Sequence, residues 1–445
     1  MIDLAPLVEA VPRLGEESLL AQPGPWHDPR MASPAIWIGL AAALSAPAAE
    51  NRVGIGRDAP SGLRIEWAQA IASPGDDWIN DIFALAPGEF GLAGFVDRAD
   101  AAGADWRSLY ARISQNGQVR ARHEFGAGRG IDAFWAGAAA ADGETWLAGF
   151  TSRIGAGGID AWAARIAADG KLLEEKTFGG GGYDRFTSLA ATADGYVLVG
   201  HSEPPDVERR RLFAVKLDRR GSAVWQRTID ADPDALAALY VAPAGDGGLI
   251  VAGGLRRGED SDIFILKLDG GGQELWRRTV GTAAAPDVNH GLLVKPDGTI
   301  VVAGYVKSWG SRDNDILAAT FSPAGVLLKK ALLGGAGDDR PISLKPGPAG
   351  EAWVVGYTKS ASSAGDWDVL VARLDSRGEF MPGVATLGST ADDNGTAIHA
   401  LDDGGAIAAG YSKGLGSASE DAFVVRLSPA DWTRPNPAFA RRVVP

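Results

Sequence analysis

Six aspartates each stand eleven residues ahead of a turn glycine: Asp77, Asp132, Asp184, Asp287, Asp339 and Asp393. A second series, Asp105, Asp160, Asp262, Asp315, Asp368 and Asp421, precedes a short apolar run. Gathered round one mouth, such carboxylates could bind a cation or a polar ligand, and in pairs they could divide general-acid and general-base work. The competing reading is that each caps its own loop, accepting backbone N–H groups where the chain turns into a strand. Recurrence at equivalent places favours capping, because an asymmetric ligand needs only a few of them. The pieces "SRDNDI", with Asp313 and Asp315, and "GDDW" invite a calcium reading. They lack the alternating Asp spacing and later Glu of a calcium loop. No other cofactor is expected.

Cations and aromatics accumulate beside these carboxylates. Arg256, Lys307, Lys359 and Lys413 occupy one repeated position, and Trp78, Trp135, Trp309 and Trp367 fall in or near the longer loops. Exposed Trp stacks on sugar rings or anchors a protein partner, whereas a Trp folded inward only plugs a gap. Trp67, Trp146, Trp225, Trp276 and Trp353 fall on strand positions and are expected to pack. None of the five His forms H-x-x-x-H, although His290 sits early in a strand and could face a channel. No P-loop occurs, and the one G-x-S-x-G pattern, "GYSKG" at Gly410–Gly414, lies at a repeat mark and not on the strand-to-helix turn of a nucleophile elbow. With no cysteine, thiolate metal sites, thiol nucleophiles and disulfides are excluded.

What must position these groups is a repeat. A small or branched residue followed by Gly recurs at Gly94, Gly149, Gly200, Gly253, Gly304, Gly356 and Gly410, at intervals of 55, 51, 53, 51, 52 and 54. After each comes a short apolar strand, in six of seven cases with one Lys or Arg: "LYARIS", "WAARIA", "FAVKLD", "FILKLD", "LAATFS", "LVARLD", "FVVRLS". Asp-Gly pairs precede most first marks, as at Asp142-Gly143, Asp246-Gly247 and Asp403-Gly404, and favour two-residue hairpin turns. Each unit therefore reads as four antiparallel strands, a to d. Seven such units predict an all-β fold, a seven-bladed β-propeller over 63–432. Its closure is also legible. "LRIEWAQAI" (Leu63–Ile71) reads as an outer d strand, and the last unit lacks one, so the N-terminal strand is expected to complete the blade of the three C-terminal strands. The d–a and b–c loops then share one face, the candidate binding face.

"KLDRRGSAVWQRTI" from Lys216 and "KLDGGGQELWRRTV" from Lys267 carry the same K-L-D, Gly and Trp. Over roughly 63–428 the units resemble the bacterial seven-bladed repeats called SBBP, which occur in exported proteins. That resemblance implies architecture, since the family has no single activity. The D-x-x-G-x-x-x-W pieces are also similar to the docking motif of quinoprotein propellers, but those have eight blades and a longer spacing. Only Trp225 and Trp276 fit, so the likeness is architectural.

Outside the repeat, residues 1–30 read as an upstream extension and 31–49 as a signal peptide starting near Met31, with an apolar stretch over 35–44 and small residues at Ala46–Ala48. Residues 50–62 read as a linker and 433–445 as a tail. The apolar stretch is too short for a good membrane span, and the formal net charge of −13 argues against nucleic acid. The expectation is a periplasmic or secreted monomeric scaffold that binds a protein or a carbohydrate through its loop face. The alternative is a periplasmic hydrolase or lyase using channel-mouth Asp residues, with or without a metal.

Overall fold

The computed structural model describes residues 63–444 apart from 72, 74, 99–103, 127–128, 206–209, 231–234, 258–259, 282–286, 308–312, 363–364 and 416–418. The expected extension, signal peptide and linker, and Trp309, lie outside the described residues. The chain divides into two units, Met1–Ala42 and Ala43–Pro445, and everything below concerns the second.

β1 (Ile65–Ile71) is followed by β2 (Asp77–Ala86), β3 (Glu89–Asp97), β4 (Asp105–Ser114) and β5 (Val119–Phe125). Next come β6 (Gly130–Ala139), β7 (Thr145–Thr151), β8 (Asp160–Ile166) and β9 (Leu172–Phe178), then β10 (Tyr183–Thr192), β11 (Gly195–Glu203), β12 (Arg211–Asp218) and β13 (Ala223–Ile229). β14 (Ala235–Pro243), β15 (Leu249–Arg257), β16 (Asp260–Leu268) and β17 (Glu274–Val280) form another set, as do β18 (Asp287–Val294), β19 (Ile300–Val306), β20 (Asp315–Phe321) and β21 (Leu327–Gly334). β22 (Asp339–Pro346), β23 (Ala352–Thr358), β24 (Asp368–Leu374) and β25 (Phe380–Leu387) precede β26 (Asp393–Ala400), β27 (Ala406–Ser412), β28 (Asp421–Leu427) and β29 (Ala440–Val444).

This is an all-β propeller of mainly antiparallel four-stranded blades. Hydrogen bonding sorts the strands into six sheets rather than seven separate ones. Five are self-contained blades of four or five strands. The sixth is an eight-stranded sheet in which β2–β5 and β6–β9 are joined by a parallel pairing of β4 with β6, Asp105 opposite Gly130 and Trp106 opposite Ile131. Among the innermost strands, β2, β6, β10, β14, β18, β22 and β26 each lie against the next, and β26 lies against β2. The second and third strands are buried on both faces, as β7 and β20 show along their whole length. That is why they read as continuous apolar runs.

Five of the third strands carry a cation paired within their own set. Lys216 Nζ is 2.7 Å from Asp194, Lys267 Nζ 2.6 Å from Asp246, Arg165 and Arg373 pair with Glu144 and Glu351, and Arg426 pairs with both Asp403 and Glu66. Asp194, Asp246 and Asp403 of the Asp-Gly turns are thus half of a strand-to-turn ion pair. The Asp142-Gly143 turn has positive φ at both residues, as the two-residue type requires, but others differ. In the Asp246-Gly247, Asp297-Gly298 and Asp403-Gly404 turns only the Gly takes a positive φ, because the preceding Asp stays right-handed and its carboxylate holds the N–H two residues on.

Closure is made by β1, which pairs antiparallel with β28, Ala68 opposite Val425 and Ile71 opposite Ala422. The outer Trp residues then join neighbouring blades. Trp67 Nε1 donates to the Gln115 carbonyl at 3.0 Å and Trp225 Nε1 to the Gly270 carbonyl at 3.0 Å. The residues expected as a tail are instead structural. Trp432 is buried against Trp353, Asn436 Nδ2 donates to the Val384 carbonyl, and β29 adds a fifth strand to β21. Two neighbouring blades are strapped together, and an outer edge is covered.

Candidate binding site on the d–a and b–c loop face

The first Asp series closes the loops that enter the inner strands. Asp184 accepts from the Gly180 N–H at 2.8 Å, Asp339 from the Gly335 N–H at 2.8 Å and Asp393 from the Ser389 N–H, each donor lying four residues earlier. Asp77 accepts from the Ser73 hydroxyl at 2.5 Å, and Asp132 is ion-paired with Arg153. Asp339 also receives the Thr358 and Ser360 hydroxyls. Burial raises the carboxyls of Asp77 and Asp339 to about 7, against the hydrogen bonds that favour ionisation. With no exposed surface on either residue, these acids hold loops and do not meet a ligand. The Asp287 side chain lies outside the described residues.

A second device at the same level latches each blade to the next. The backbone N–H of Asp77, Asp184, Asp339 and Asp393 donates at 2.7 Å to the carbonyl of Glu420, Ile159, Asn314 and Trp367 respectively. In each case the acceptor belongs to the preceding blade, just before its third strand. The preceding carboxylates reinforce this: Asp76 accepts from Glu420 N–H, Asp338 from Asn314 N–H and Asp392 from Trp367 N–H. The parallel pairing of β4 with β6 is the same latch extended by one residue pair. That is the physical reason two antiparallel sets merge into one sheet.

Between the latches lies an aromatic and cationic cluster. Trp78 stacks on Tyr411, centroids 4.4 Å apart and planes within 4°, and its Nε1 donates to Glu420 at 2.9 Å. Arg340 lies over Tyr305 at 5.0 Å and over Trp367 at 5.5 Å, and pairs with Asp338 at 3.2 Å. Lys359 Nζ sits 4.5 Å above the same Trp367 ring, whose edge meets Tyr357. Burial pushes the Tyr357 hydroxyl up to about 12 and Tyr411 well above its ordinary value, so both are neutral. Lys413 lies 3.5 Å from both Asp392 and Glu420.

The expected site residues therefore separate. Trp367 is half-buried with a cation on its face, and Lys307 and Lys413 are exposed. Trp78 is not a loop residue: it belongs to β2, is 4% exposed, and fills a slot between blades. Trp135 and His290 are inner-strand residues too. Both sit at the register shift that each inner strand shows three residues after its Asp, the position of Asn80, Thr187, Ile342 and Thr396. His290 is buried and stacked on Tyr305, and burial with the nearby Arg340 pushes it down to about 3. Asp315 is paired with Arg442 of β29, while Asp313 is half-buried. Among the described residues no group of three acids or His could hold a metal ion, and no helix is long and apolar enough to cross a membrane.

Residues the sequence reading passed over are Tyr305, Tyr357 and Tyr411, each directly after a repeat glycine, and Arg340, directly after a capping Asp. The tyrosines' signal was their place directly after the repeat glycine, and nothing in the repeat marked Arg340.

No family model matches the chain, and no curated protein matches it. Solved structures do. A protein of unknown function from Dyadobacter fermentans matches at 13% identity and TM-score 0.47, over 83% of this chain and 99% of that one. Sqt1 from Chaetomium thermophilum matches at 12% and 0.45, over 80% and 96%. An α-L-arabinanase from Penicillium chrysogenum, complexed with arabinobiose, matches at 12% and 0.43, over 65% and 91%. Likeness this weak carries no argument about what the chain binds.

Proposed function

We propose that the chain is an exported, non-enzymatic binding scaffold that takes a protein or glycan partner on its d–a and b–c loop face. The observation that carries the reading is the Trp367 ring. It is half-buried, with the Arg340 guanidinium 5.5 Å and Lys359 Nζ 4.5 Å from its centroid and Tyr357 packed at a right angle to it. A rigid aromatic held by cations is a preorganised anchor for a sugar ring or a partner side chain.

The closed circuit of inner strands supports counting the eight-stranded sheet as two blades, which gives the ring seven and fits the SBBP-type reading. Export through the segment near Met31, a periplasmic or secreted location and a monomeric state belong to the same proposal. So does a preference for protein or carbohydrate over nucleic acid, which rests on net charge. The hydrolase or lyase alternative needs mouth carboxylates that reach substrate, and the buried, loop-holding Asp77 and Asp339 do not supply them.

The test is capture on a glycan array and from a periplasmic extract, comparing wild type with Trp367→Ala and Lys359→Ala. Loss of the same ligand in both variants, with unchanged melting, is expected. Retention by both would remove this face from consideration.

A further inference from the structure

We propose that Arg256, Lys307, Lys359 and Lys413, with the Trp367 ring, form a track for a linear carboxylated polysaccharide such as a polyuronate. The inference rests on the binding role above and names the ligand class for the same face.

All four cations occupy one structural position, three residues after the repeat glycine, where the second strand gives way to its loop. They belong to four consecutive blades. The other three blades carry Asp97, Ser152 and Glu203 there, so the face is divided into a cationic arc and a neutral-to-acidic one. In a chain of net charge −13 such a division is not a by-product of composition. Basic residues one step further on in the first two blades lie outside this position. Arg98 is held by Glu124 at 2.6 Å, and Arg153 is held by Asp132.

At two of the four the backbone is tied within its own blade. The Lys359 N–H donates to the Asp338 carbonyl at 2.8 Å and the Lys413 N–H to the Asp392 carbonyl at 3.0 Å. Arg256, Lys307 and Lys413 are exposed and Lys359 is half-buried. Three acids among them are engaged: Asp338 with Asn314 and Arg340, Asp392 with Trp367 N–H, and Glu420 with Trp78. Lys413 shares Asp392 and Glu420 at 3.5 Å, the weakest of these contacts.

One cation per blade at a fixed register suits a polymer with one carboxylate per repeating unit better than a single anion. The Trp367 ring within the arc adds a stacking face that a pyranose ring matches and a flexible acidic peptide does not.

The experiment measures affinity of the full chain for oligogalacturonate, its methyl-esterified neutral form, and polyglutamate. Variants are Lys307→Glu/Lys359→Glu, Trp367→Ala, and Lys171→Glu, an exposed turn lysine at the other end of its blade, with melting curves to confirm folding. The expected result is oligogalacturonate binding that weakens at least about tenfold in the double reversal and in the esterified ligand, with little change in Lys171→Glu. It should also weaken as salt is raised from ~0.05 M to ~0.5 M. Equal binding of the esterified form overturns the charged track while leaving the face a glycan site. Equal binding of polyglutamate overturns the glycan assignment in favour of an acidic protein. Wild-type affinity in the double reversal, or no binding to any of the three, also overturns the track. The array and extract captures then decide separately whether the face binds anything.

Discussion

Lys345 Nζ lies 2.8 Å from the Asp81 carboxylate, joining β22 to β2 although β26 stands between them in the ring. Asp81 also accepts the Gly137 N–H at 3.1 Å, so one carboxylate ties strands of three blades. On its other side β22 receives a long 3.5 Å hydrogen bond from the Tyr240 hydroxyl of β14 to the Ile342 carbonyl, again skipping one blade. The inner wall is braced across its chords as well as round its circumference.

Removing Lys345 should therefore cost more than a surface ion pair. Asp81 is largely buried, and Lys345 keeps about a third of its exposure, so screening reduces the interaction without abolishing it. Lys345→Met should lower stability by about 1–2 kcal/mol, and Asp81→Asn/Lys345→Met should recover part of that loss. Urea unfolding of the double-mutant cycle measures it. Strict additivity of the two single changes would show that the brace contributes nothing.

Asp339 gives a pH signature. Its carboxyl is raised by burial to about 7, above its value in the unfolded chain. In the folded state the proton is held while the unfolded chain releases it, so stability from this group is complete in acid and lost as pH rises from about 4 to about 7. Asp339→Asn stays uncharged throughout. The stability difference, variant minus wild type, should rise across that window and level off above it. Unfolding curves collected at several pH values check this, and parallel profiles would contradict it. Asp77, raised to about 7 by burial as well, should behave in the same direction.

The turn glycines separate backbone strain from contact between blades. Gly247 has φ +82° with open space where a Cβ would lie, while Gly325 has φ +76° and its Cβ would meet the Trp276 indole at 2.8 Å. Gly247→Ala should cost about 1 kcal/mol, from the left-handed backbone alone. Gly325→Ala should cost about 1–2 kcal/mol more, because the indole must shift. In a Trp276→Ala background that excess should vanish. If the two glycines respond alike, the indole does not press on the turn.

Much of this was legible in the letters, for reasons that mark where reading stops. Buried second strands need apolar residues on both faces and tight turns need Gly, so the repeat and the place of Trp67 as an outer strand residue followed directly. The merging of two sets through Asp105, Trp106, Gly130 and Ile131 did not, because a parallel latch depends on how neighbouring blades meet. Asp81 and Lys345 are 264 residues apart, and no periodicity links an inner strand to one two blades away. Tyr305, Tyr357 and Tyr411 were in plain view as repeat marks, yet only packing shows that the residue after the next capping Asp fills the slot beside them. Trp78 and Arg340 are two such fillers. The strand "ARRVV" was invisible because five largely exposed residues, two adjacent Arg followed by two adjacent Val, carry no alternation.

That last segment supports a further prediction. Trp432 is buried edge-on to Trp353, centroids 5.2 Å apart, with the Arg373 guanidinium 5.4 Å over its ring. Its backbone carbonyl accepts the Gly383 N–H at 2.8 Å, so the residue pins the strap to β25 before β29 reaches β21. Truncation would leave a space in the core cluster that Trp432 shares with Trp353 and against which Met381 packs. Trp432→Ala should cost about 3–5 kcal/mol. Because β29 lies downstream of the pin, its amides should lose protection together with the Gly383 N–H in hydrogen exchange. Loss of global stability with β29 protection intact would mean that the strand holds its edge unaided, and that the strap is two independent contacts.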